Sequence, residues 1–103
     1  MANYSEMSDD KINLQVFECL FGRLGKDRDM LRVWQQGKFQ PCNSWKDAGP
    51  IILSSKLWLR ELYGKWDVKG FPGKPHKYNQ VGWIDENPLR AAMIVYLMMQ
   101  EAT

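Results

Sequence analysis

A chain of 103 residues that is 45% hydrophobic and 25% charged is long enough for one core and too apolar to stay disordered, so a single domain over residues 1–103 is expected. A formal net charge of +2 falls short of the strongly basic balance of most nucleic-acid-binding domains, and two cysteines outside any Cys-x-x-Cys pair exclude a disulfide framework and point to a reducing compartment. The opening MANYSEMSDDK lacks the basic end and apolar run of a secretory signal, and the longest apolar run, residues 91–99, is far below the roughly 20 needed to cross a bilayer, so no membrane association is expected.

Ser8 is placed to cap a helix, with Asp9 and Asp10 at the positive end of its dipole and Met7 and Ile12 as the two sides of a hydrophobic staple. Ile12, Val16, Cys19 and Leu20 follow a 3.6-residue period beside Phe17 and Phe21, which predicts an amphipathic helix over 9–22 stopped by Gly22. After a polar turn from Lys26 to Asp29, the segments 30–34 and 38–40 flank Gln35-Gln36-Gly37 as a candidate hairpin. Ser44 and Asp47 have capping-box spacing, so a short middle helix begins at Trp45, or else near Pro50 and runs through Leu53. Segments 57–62 and 65–68 around Tyr63-Gly64 form the best hairpin, with Gly64 supplying a positive φ. Two prolines and a glycine in 71–77 predict a surface loop. Asn87 caps the last helix and Pro88 opens it. Leu89, Ala92, Met93 and Tyr96 trace one stripe of that helix, and Ile94, Val95, Leu97 and Met98 cover most of the rest.

A helix apolar nearly all round belongs in a core. The alternative, one face left for a partner or a second copy of the chain, allows a monomer or a weak homodimer. The expected fold is α+β: two terminal helices and a short middle helix packed on a small antiparallel sheet.

Catalytic and metal chemistry find little support. His76 is the single histidine and sits in the Pro/Gly loop, where solvation explains it. It has no zinc-site spacing with Cys19 or Cys42, and the glycines match no phosphate-binding loop. The acid pairs Asp9/Asp10 and Asp85/Glu86 are explained by helix dipoles, and Cys42 has no paired base. No cofactor and no enzymatic activity are expected. The strongest hint of binding is a segment in which Lys65, Lys69, Lys74, His76 and Lys77 interleave with Trp66, Phe71 and Tyr78. Cations for phosphates and rings for stacking suit single-stranded nucleic acid. Solvated lysines above core aromatics explain the same pattern.

Three phrases carry a resemblance: Tyr4-Ser5 with Ser8-Asp9; Cys42-Asn43 with Asp47-Ala48 and Pro50-Ile51-Ile52; and Asn87-Pro88-Leu89-Arg90-Ala91-Ala92. Together they resemble the NinX family of small accessory proteins of lambdoid phages and prophages, over most of the chain. The chain departs from that pattern at Ser44-Trp45, in place of Asn-Pro, and at Gly49, in place of a larger residue. The resemblance implies a phage or prophage product in the cytoplasm of a bacterial host, and it implies no reaction. The function expected is a non-enzymatic module binding a host or phage protein, with nucleic acid as the second partner class.

Overall fold

The chain passes from a 3-10 turn, Tyr4–Glu6, into helices α1, Asp9–Phe21, α2, Arg28–Gln35, and α3, Trp45–Ser55. Strands β1, Trp58–Leu62, β2, Lys65–Gly70, and β3, Val81–Asp85, follow, and α4, Pro88–Glu101, closes the fold. A computed structural model describes residues 3–23, 26–72 and 80–101. The fold is α+β, with an antiparallel sheet in the order β1-β2-β3. No described helix is long and apolar enough to cross a membrane.

Local chemistry sets the ends of α1. Ser8 Oγ accepts the Lys11 amide at 3.2 Å, and Gly22 ends the helix at φ 82. The buried face is rotated from the expected one: Ile12 and Val16 are inside, but Asn13 and Phe17 join them, while Cys19 and Leu20 are exposed. A polar side chain occupies the core because Asn13 has a buried partner there, described below.

The hairpin expected over 30–40 is overturned by α2. Asp27 Oδ1 accepts the Met30 amide at 3.1 Å, a side-chain cap that opens a helix instead of a strand. Gly37, at φ 68, ends it: the Lys38 amide donates to the Val33 carbonyl and the Gly37 amide to that of Trp34, the paired bonds of a Schellman motif. A glycine with positive φ serves a hairpin and a helix end alike, and only these bonds separate the two.

Helix α3 starts at Trp45 and runs through Pro50. Gly49 has no Cβ to meet the proline ring, which relieves the clash that pushes a pre-proline residue out of the helical region. Lys56 follows in the left-handed region at φ 54, and the Leu57 amide donates to the Ile52 carbonyl. Tyr63 and Gly64, at φ 53 and 82, form the tight turn that sets Leu62 opposite Lys65. Strand β3 was not expected from its sequence. It pairs with β2 from Trp66↔Asp85 to Gly70↔Val81.

One face of the sheet, carrying Val68, Gly70 and Trp83, meets α4. Seven consecutive residues of that helix, 91–97, are buried, as are Ile12, Val16 and Phe17 of α1 and Ala48 and Ile51 of α3. The apolar tail is therefore the centre of the core, and Ile94, fully buried, has no face to offer a second chain.

Gly70 lies where β2 packs against α4. A Cβ there would stand 2.5 Å from Met99 Sδ and 3.0 Å from Val95 Cγ1 and Leu57 Cδ2. Gly70→Ala is expected to lower the unfolding free energy by about 1–3 kcal/mol in urea titration. Lys56→Gly, which relieves a left-handed non-glycine residue, is expected to raise it by up to about 1 kcal/mol.

Candidate functional site

Two clusters of polar side chains fix the ends of the core helices. Arg90, its side chain 15% exposed, donates from Nη1 to Asp9 Oδ1 at 2.7 Å and from Nε to Asp85 Oδ2 at 3.2 Å. Its Nη2 donates to the carbonyls of Tyr4 and Met7 at 3.0 and 2.8 Å. One planar guanidinium thus ties the N-terminal turn, α1 and the end of β3 to α4, a fork geometry that lysine does not have. Asn87 forms the second cluster. Its Oδ1 accepts the amides of Leu89 and Arg90, capping α4, and its Nδ2 donates to the Cys42 carbonyl at 2.8 Å. The Cys42 amide in turn donates to Asn13 Oδ1 at 2.9 Å.

Cys42 is fully buried between these partners, and burial pushes its thiol up to about 12. It is an anchor for the 40–43 turn and is no nucleophile at neutral pH. Tyr4 is buried as well. Its hydroxyl donates to Glu101, and burial, followed by that bond and the carboxylate's charge, holds it well above the usual 10. Among the described residues, no three of His, Cys, Asp and Glu are placed to hold a metal ion.

An apolar groove of about 570 Å³ lies between the end of α1, α2 and α3. Leu20, Phe21, Met30, Val33, Phe39 and Ile51 form its walls, and Lys38, Lys46 and Asp47 stand on it. Phe17, Phe21, Phe39 and Trp34 pack with ring centroids 5.1 to 5.9 Å apart, so the wall rings Phe21 and Phe39 are braced from behind by an aromatic cluster. Asp47 Oδ2 accepts the Gln40 amide at 2.9 Å, bracing the 38–40 segment against α3. None of the binding candidates read from the sequence lines this groove. The expected hairpin dispersed Met30, Val33 and Phe39 along two strands, whereas α2 and the segment that follows it bring them to one groove.

The cations and rings of the predicted binding segment separate. Lys65 and Lys69 lie on the face of the sheet turned away from α4, with Asp67 between them. Trp66 alternates to the opposite face and is half-buried. Lys74, His76, Lys77 and Tyr78 lie outside the described residues.

The family model described as Bacteriophage P22, NinX matches residues 3–100. The chain belongs to the NinX family. No curated protein and no solved structure matches it. The phrases that carry the NinX resemblance are largely the polar clusters above. Tyr4 and Asp9 meet Arg90, Cys42 meets Asn87, and Ala48 and Ile51 are core. The middle phrase also reaches the surface, because Asp47, Pro50 and Ile51 line the groove.

Arg90→Ala takes the guanidinium away from two carboxylates and two carbonyls, and an unfolding free energy lower by about 2–3 kcal/mol is expected. Arg90→Lys is expected to restore less than half of that loss in the same titration, since an ammonium cannot span the four acceptors. A pH dependence follows from Cys42 and Tyr4. The fold raises both pKa values, so the stability they contribute is complete below the unfolded thiol value of 9.0 and is lost as pH climbs from there toward 12. Urea midpoints measured between pH 8 and 11 are expected to fall with rising pH, and the fall is expected to be smaller in Cys42→Ala.

Proposed function

We propose that this NinX-family chain is a non-enzymatic accessory protein that works in the cytoplasm of the bacterial host by holding a phage or host protein in the groove between α1, α2 and α3. The observation that carries this reading is the character of that groove: walls of Leu, Phe, Met, Val and Ile, with Leu20 39% exposed, beside two lysines. Apolar surface left open beside a filled core is what interaction sites expose. Among the described residues the groove holds one carboxylate, Asp47, already bonded to a backbone amide, which supports binding over acid-base chemistry. An amphipathic helix suits the shape, its apolar anchors at i, i+3 or i+4, and i+7 entering between α2 and α3 while acidic residues face Lys38 and Lys46.

A photo-crosslinking amino acid at Leu20 is expected to trap one protein species in phage-infected cells. Lys38→Glu with Lys46→Glu is expected to weaken the purified complex about tenfold without changing the circular dichroism spectrum. Trapping from a substitution at Trp58 but none at Leu20 would move the interface away from the groove.

A further inference from the structure

The face of the sheet turned away from α4 carries Trp58 and Arg60 from β1, Lys65, Asp67 and Lys69 from β2, and Gly82 and Ile84 from β3. The register sets Trp58 opposite Lys69, Arg60 opposite Asp67, and Ile84 beside Asp67. Trp58 is 65% exposed and Ile84 53%, so both rims are open to solvent. Two adjoining hollows, of about 350 and 500 Å³, run across the strands and share Asp67, Lys69 and Gln80.

The charges on this face are organised. Asp67, 7% exposed at the centre, accepts from Arg60 Nη2 at 3.0 Å and faces Lys69 Nζ at 3.9 Å. Three cations share the face with one carboxylate, so it keeps a positive excess while the central acid holds Arg60 and Lys69 over the strands. Arg60 remains 68% exposed in its side chain and keeps donors for another acceptor. The ring that shares this face with the lysines is Trp58, not Trp66. Phe71 meets Trp58 edge-on at 5.6 Å and braces it without covering it.

We propose that this outer sheet face is a binding platform for single-stranded nucleic acid, on which Trp58 stacks a base while Arg60, Lys65 and Lys69 take the flanking phosphates. An exposed indole on one face with cations is the pairing that single strands require, because every base has a stacking face and every linkage a charge. Asp67 and Gln80 lie within the hollows beside the ring, where their oxygens can accept from exocyclic amino groups of a stacked base. The Asp67 charge disfavours an anion at the centre, which puts the phosphates over the flanking cations. The platform shares no residue with the groove, so either site can fail in experiment without the other.

The test is fluorescence anisotropy of labelled 15-residue oligo(dT) and oligo(U) with the full chain at low salt, repeated as salt rises. Binding is expected, with a logarithmic salt slope of about −2 from three phosphate contacts. Trp58→Ala is expected to weaken it by roughly 5- to 100-fold, with Trp58→Phe recovering part of the loss. Lys65→Gln and Lys69→Gln are each expected to make the slope shallower by about 0.7. All four variants are checked for native melting temperature, which the exposure of Trp58 favours. The proposal is overturned by the absence of binding to either oligomer at low salt, or by affinity and slope that survive these substitutions. Competition by an acidic peptide as effective as by the oligomers would also overturn it, since the face would then be a site for acidic protein segments.

Discussion

Burial of α4 is the constraint on which the rest of the structure depends. A helix apolar on every side cannot lie on a surface, and here α1, α3 and the sheet cover it from different directions, leaving residues 91–97 without solvent. Gly70 lets β2 approach the helix closely, and Val68 and Trp83 fill the space on either side. In a domain this small, one central helix supplies much of the apolar area that outweighs chain entropy. The outer elements then order themselves around it.

Such a helix creates a problem at its start, where free amides and neighbouring turns enter the core together. Asn87 and Arg90 solve it. The first caps the helix and anchors the Cys42 turn, and the second joins two acids and two backbone carbonyls from the N-terminal turn, α1 and β3. These residues belong to the phrases that carry the NinX resemblance, so in this chain the resemblance is foremost one of how the last helix is seated. It carries little direct information about a ligand.

With the core helix consumed internally, contact with other molecules falls to the periphery. Among the described residues, the groove and the outer face of the sheet are places where exposed side chains are arranged instead of scattered. One is apolar with cations on it, and the other is cationic around a tryptophan. Their chemistry is different enough that a protein helix and a nucleic-acid strand would each find one of them and not the other. The most shifted thiol, Cys42, is sealed inside and belongs to neither surface.

The sequence by itself determined what depends on near neighbours. Ser8 before two acids, Asn87 before Pro88, and Tyr63-Gly64 between apolar segments set helix starts and a turn through interactions spanning two to four residues, and all three stand where the pattern placed them. The apolar run likewise announced its own burial. Tertiary structure decided the rest. Gln35-Gln36-Gly37 suits a hairpin or a helix end, and the choice of α2 rests on the Asp27 cap and on packing of Val33 and Trp34 against the core. Strand β3 exists through its pairing with β2, since five residues containing a glycine have too weak a preference to extend alone. Which tryptophan accompanies Lys69 was also beyond the sequence: neighbours along a strand point to opposite faces, and the ring beside that lysine comes from the next strand over.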